Sequence, residues 1–214
     1  MLWEEAFSSV AEYVAKHSSK EDSVLREINK ETANLFPDDY SMLSGHPQGL
    51  LLELIATIKK PMYILEVGTF VGYSTICLAR GLQENGRLIT IEKNKELENL
   101  ITKNLKNAGV EDKVLTLFGD AMELIPELPY SFDLAFIDAD KIHYPDYVQM
   151  VENKMTKGGV LLVDNTLWGG EVLNPKTPEA TAIHKTNEYL ASSDKWKTVL
   201  VPMRDGIKIA QFVG

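Results

Sequence analysis

The chain has 214 residues, 44% of them apolar and 25% charged, a composition that suits a globular domain long enough to bury a sizeable core. Its 22 basic and 31 acidic residues leave a net charge of −9, which weighs mildly against extended contact with nucleic acid or an anionic membrane; it suits a cationic ligand or a metal, but ordinary solubility accounts for it first. The lone Cys77 excludes an intrachain disulfide and a cysteine-built zinc site; among the apolar neighbours of TICLAR it reads as a buried structural thiol.

The opening MLWEEAFSSV has acids at positions 4 and 5 and no basic-then-apolar signal pattern, so a cytoplasmic protein is expected. Residues 1–33 read as helix-rich and polar, followed by the break NLFPDDYSMLSGHP. A second helix is expected over 47–59, with Pro47 in its first turn. Its run GLLLELIATI is too short to cross a membrane and contains Glu53. Beyond Pro61 the pattern changes: MYILEVG is a buried strand, YSTICLARGL a helix ending near Gly81, and RLITIEKN a strand. Leu97, Leu100, Ile101, Leu105 and Ala108 recur at helical spacing, and Gly109 closes that helix.

KVLTLFGD then reads as strand, AMELIPEL as a short helix, FDLAFID as strand and YPDYVQMVENKM as helix, with Gly158-Gly159 as a stop. VLLVDN is strand, PEATAIHKTNEYLASS helix, and WKTVLVPM and the last strand form a hairpin through Asp205-Gly206. There is no repeat and no low-complexity segment. Strand–helix alternation with continuous apolar strands predicts one doubly wound α/β domain over residues 1–214, its sheet largely parallel and covered on both faces, with an N-terminal helical appendage.

In such sheets ligands bind beyond the carboxyl ends of the strands, which selects Glu66-Gly68, Glu92, Gly119-Asp120, Asp138 to Lys141 and Asp164-Asn165. LEVGTFVGYST carries a G-x-x-x-G turn with an acid before it, where a pyrophosphate loop would have G-x-G-x-x-G. A carboxylate in the crevice suits a cationic ligand, and Glu92, 24 residues after Gly68, is placed to accept from ribose hydroxyls or is simply an exposed strand-end acid. The pair favours S-adenosyl-L-methionine. Ser74 is either a helix N-cap or a partner for the ligand's carboxylate.

Asp138, Asp164 and Asn165 offer three oxygen donors at adjacent strand ends, a set that selects hard cations, Mg²⁺ first and Mn²⁺ or Ca²⁺ also, over zinc. Taken singly, Asp138 reads as a helix cap and Asp164-Asn165 as a turn; together they favour metal. Lys141, three residues after Asp138, is a candidate base, because a cation nearby in a partly dry cleft disfavours its charged form; the rival readings are an ion pair to Asp138 or Asp140, or plain solvent exposure. His143 is a lesser candidate.

LEVGTFVGYST, ITIEKN, FIDADK and VDNTLWGG, in this order, resemble the cation-dependent O-methyltransferases of the caffeoyl-CoA and catechol type over residues 40–214. The resemblance implies a seven-stranded Rossmann-like class I methyltransferase fold with its last strand antiparallel, a homodimer, and helices of residues 1–60 contributing to the cofactor and acceptor sites and to the dimer. It implies that Met42, Ser44, Glu66, Gly68, Phe70, Ser74, Glu92 and Ala121 surround S-adenosyl-L-methionine, with Asp138 also approaching the methionine amine. Asp138, Asp164 and Asn165 match the metal ligands, Lys141 the base, and Trp168 a wall of the acceptor site.

Two positions depart from the pattern. Animal catechol enzymes carry an acid near Ile207 or Lys208, and Arg204 stands where many relatives have glycine, changing the charge beside the acceptor pocket. The basic residues Lys16, Lys20, Arg26 and Lys30 give no clear match to a coenzyme A site. The expected reaction is methyl transfer to one hydroxyl of a small aromatic vicinal diol. The runner-up acceptor is the 5-hydroxyuridine of tRNA, which the net charge disfavours. The missing third glycine and Glu66 disfavour a nicotinamide oxidoreductase, and Lys141 beside three metal donors disfavours a non-catalytic module.

Overall fold

The computed structural model describes Val10 and residues 12–214. The helix expected over 1–33 lies partly outside these residues; within them it is interrupted, with helix at 12–16 and a second segment, α1 (Ser23–Leu35), after a break. Asp22 starts α1 by accepting from Leu25 N at 2.9 Å. Leu25, Ile28 and Thr32 form its buried stripe. The second helix, α2 (Gly45–Lys59), begins two residues earlier than expected and keeps Pro47 in its first turn.

The remaining elements alternate: β1 (Tyr63–Val67), α3 (Tyr73–Arg80), β2 (Arg87–Glu92), α4 (Glu98–Asn107), β3 (Val114–Phe118), α5 (Ala121–Glu127) and β4 (Phe132–Ile137). They continue through α6 (Tyr144–Glu152), β5 (Met155–Val163), α7 (Pro178–Ser192), β6 (Trp196–Val201) and β7 (Ile207–Phe212). The seven strands lie in the order β3-β2-β1-β4-β5-β7-β6. The last strand, β7, is the antiparallel one, wedged between β5 and β6 as the expected hairpin requires.

One element departs from expectation. Gly158-Gly159 does not stop a helix; α6 already ends at Glu152, and β5 runs through both glycines. The pairing jumps from Phe132↔Met155 to Leu134↔Val160, so extra residues of β5 bulge out at Gly158, whose φ of +79° suits glycine.

Period-two alternation divides the core between the two sheet faces. Ile64, Leu88, Leu134 and Leu162 pack with α1 to α4, while Leu65, Ile89, Ala135 and Leu161 pack with α5 to α7. Cys77 is wholly buried, and burial raises its thiol pKa, as expected of a structural cysteine. Among the described residues no helix is long and apolar enough to cross a membrane.

Strand register is what builds the site. Ile91, Val67, Ile137 and Val163 stand abreast across β2, β1, β4 and β5. The next residue of each strand therefore emerges on one line: Glu92, Gly68, Asp138 and Asp164. The chain leaves β1 toward β2 and β3, then returns to β4 on the other side. That reversal opens a crevice between the β1 and β4 ends.

Candidate active site

The crevice is a cleft of about 800 Å³. Of the residues singled out in the sequence, Met42, Ser44, Gly68, Phe70, Ser74, Glu92, Ala121, Asp138, Lys141, Asp164, Asn165, Trp168 and Arg204 all line it. Glu66 does not. It lies within β1 and points to the α3 face, fully buried, where Thr75 Oγ1 donates to its Oε2 at 2.5 Å. Its Oε1 has no partner, and burial raises its carboxyl to about 7 despite the hydrogen bond from Thr75. Ser74 is not the N-cap of α3, a position held by Gly72, and it lies on the cleft wall.

Gly68 is needed for a reason the sequence did not show. A Cβ there would sit 2.0 Å from the backbone oxygen of Asp138, and φ is +97°. The glycine lets the β1 turn pass against the β4 turn, so it brings the two halves of the cleft together. Glu92 braces the same turn. Its Oε2 accepts from Phe70 N at 2.8 Å and Thr69 N at 3.2 Å, and its Oε1 accepts from Asn94 N at 2.8 Å. Those bonds use three of the about four acceptor positions of a carboxylate.

The other half of the cleft is built from charges. Lys141 Nζ donates to Asp138 Oδ1 at 2.8 Å and lies 5.0 Å from the Tyr144 ring centroid, so the ion-pair reading of Lys141 is the arrangement observed. Asp164 is almost wholly buried; burial and the Asp138 charge raise its carboxyl to about 6. Its Oδ1 accepts from Asn165 N at 2.8 Å. Asp140, not Asp138, caps the short helical turn that follows, through Ile142 N at 3.2 Å. His143 stays outside the cleft wall, 3.5 Å from Asp146.

Residues 15–212 match the family profile described as O-methyltransferase. The chain belongs to the O-methyltransferase family. The match begins well before residue 40, the expected start of the resemblance. A caffeoyl-CoA O-methyltransferase of Stellaria longipes is 32% identical, covering 91% of this chain and 85% of its own. A catechol O-methyltransferase of Niastella koreensis is 34% identical over 92% of this chain and 91% of its own. The solved O-methyltransferase TomG of Streptomyces achromogenes, in complex with SAM, superposes with a TM-score of 0.88 at 32% identity and covers 96% of both chains.

The methyltransferase also holds features that its sequence concealed. Four of the five non-glycine residues with positive φ among those described, Phe70, Asn165, Trp168 and Arg204, line the cleft. Such conformations cost on the order of 1–3 kcal/mol each and gather at functional sites. Arg204 does not offer a free charge to the pocket. Its Nη1 donates to Leu43 O at 2.9 Å and to Ser44 O, and its Nη2 to Ser41 O at 3.2 Å, clipping the segment that carries Met42 to the hairpin turn. Lys208 is buried outside the cleft wall and faces Asn187 O at 3.3 Å on α7; burial lowers its pKa. Gln48, unremarked in the sequence, donates from Nε2 to Asp164 Oδ2 at 2.5 Å. The available signal was its place in the inward stripe of α2 with Leu52 and Ala56, where an amide is unexpected.

Proposed function

We propose that this methyltransferase transfers a methyl group from S-adenosyl-L-methionine to one hydroxyl of a catechol-like vicinal diol, with a divalent cation, Mg²⁺ foremost, at Asp138, Asp164 and Asn165. The observation that carries the reading is the convergence of two carboxylates, an amide and a lysine at the ends of β4 and β5. Asp164 is raised to about 6 partly by the charge of Asp138, so this corner has an excess of negative potential that a cation relieves. The donors are all oxygen, which fits Mg²⁺, Mn²⁺ or Ca²⁺. The relatives named for caffeoyl-CoA and catechol support a small aromatic acceptor over tRNA.

The cofactor half fits as well. Glu92 keeps about one acceptor position for a ribose hydroxyl, and Met42 and Phe70 supply apolar walls. S-adenosylmethionine supplies an activated methyl on a sulfonium, and the cation supplies Lewis-acid polarisation of the diol oxygens. Lys141 Nζ, on the cleft wall and paired with Asp138 in the ligand-free protein, would accept the proton of the attacking hydroxyl only after a cation takes over Asp138 and the amine has given up its own proton. Tyr144, fully buried beneath it, fixes the direction of its amine through the ring contact. Trp168, strained and half-buried on the cleft wall, would close the acceptor side and orient the diol toward Asp138, Asp164 and Asn165.

The exposed Leu54 and Ile58 on α2 support a homodimer. A soluble, cytoplasmic protein of a single domain completes the proposal. The testing experiment is metal titration and turnover of Asp164→Ala: loss of both is expected, and full activity of that variant in excess chelator refutes the metal role.

A further inference from the structure

We infer that Gln48 is a positioning residue for the metal carboxylate Asp164, and that Arg204 sets the orientation of its amide. The inference rests on the metal-dependent reading of the site. Gln48 stands 116 residues from Asp164 in sequence, on the first turns of α2, and is only 1% exposed. Its Nε2 donates to Asp164 Oδ2 at 2.5 Å, while Asp164 Oδ1 accepts from Asn165 N at 2.8 Å. One donor on each oxygen fixes the plane of the carboxylate and leaves a lone pair on each for a cation.

The amide has a defined direction because its other end meets a guanidinium. Arg204 Nη1 lies 3.4 Å from Gln48 Oε1. The reverse flip would place the amide oxygen against Asp164 and the NH₂ group against Arg204, replacing two attractive contacts with two repulsive ones. Arg204 in turn is fixed by the carbonyls of Ser41, Leu43 and Ser44. A chain of contacts therefore runs from the hairpin turn before β7, through the cofactor-side segment, to the metal donor. Outer partners of this kind orient a ligand before the metal arrives, and losing one typically weakens metal affinity by about 10- to 100-fold.

The experiment is Mn²⁺ binding to the full chain without cofactor or acceptor, followed by electron paramagnetic resonance, for wild type, Gln48→Met and Arg204→Gln. Gln48→Met keeps the length of the side chain and removes the donor; its Mn²⁺ dissociation constant is expected to rise about 10-fold or more. Arg204 is on an exposed turn, so Arg204→Gln tests the same chain of contacts in a protein whose core is untouched. A smaller rise, about threefold, is expected there as the amide loses its fixed direction, roughly 0.6 kcal/mol by the usual conversion. Wild-type affinity in a folded Gln48→Met overturns the inference, and if that variant does not fold, wild-type affinity in Arg204→Gln does so. A wild-type protein that binds no Mn²⁺ sinks the metal-dependent reading itself.

Discussion

The two halves of the cleft are held together in opposite ways. On the cofactor side, the Gly68–Phe70 turn is knitted by backbone N–H groups to Glu92, and the one unpartnered polar atom nearby, Glu66 Oε1, is sealed beneath the wall. On the side of the proposed metal donors, two carboxylates face one space and Lys141 is paired with one of them, Asp138. The first half is complete before any ligand arrives, and the second is electrostatically unfinished. The difference teaches that the fold alone organises the first half, whereas on the proposed reading the second is completed by a cation.

The sharpest way to break this comparison is to remove the proposed base. Lys141→Met should lower kcat by roughly 10²–10⁴-fold, the usual worth of a positioned base. Binding of S-adenosylmethionine, measured calorimetrically, should change little, because the turn at Gly68 does not depend on Lys141. Equal losses in kcat and in cofactor affinity would mean that the halves are not separate. Glu92→Ala probes the other half. It strips the acceptor from Thr69, Phe70 and Asn94 N–H groups, so cofactor affinity should fall about 10-fold and stability by about 1–3 kcal/mol. Mn²⁺ affinity should be unaffected, and a matching loss there would count against the division.

The smallest expected effect is a pH slope in the ligand-free protein. Burial raises Glu66 to about 7 from an ordinary 4.5, and burial with the Asp138 charge raises Asp164 to about 6 from 3.8. Both folded values exceed the unfolded ones, so each group's stabilisation is complete below its ordinary value and is lost as pH rises through about 6 to 7. The melting temperature in chelator should therefore increase from pH 8 to pH 5.5, and Glu66→Gln should flatten the upper part of that slope. A melting temperature that falls over that interval contradicts the assignment.

Much of this was legible in the sequence because strand ends are easy to count. Apolar runs located β1, β4 and β5, and parallel register then carried Gly68, Asp138 and Asp164 to one line without further information. The sequence was silent where side chains choose between faces. Glu66 was expected in the crevice, but alternation along β1 turns it to Thr75. Arg204 was expected as a charge beside the acceptor, and backbone carbonyls of a distant loop claim it instead. Gln48 gave no motif, since its partner is 116 positions away. Gly158-Gly159 misled for a local reason: the pair marks a bulge inside a strand as readily as a stop before one.

The most direct test of the central claim is transfer of labelled methyl from S-adenosylmethionine to a simple catechol, assayed with Mg²⁺, with excess chelator, and with Mg²⁺ restored. The account predicts methylation of one hydroxyl, lost in chelator and regained with the metal, and none on the corresponding monophenol. Equal transfer in chelator, or methylation of the monophenol without metal, would contradict it.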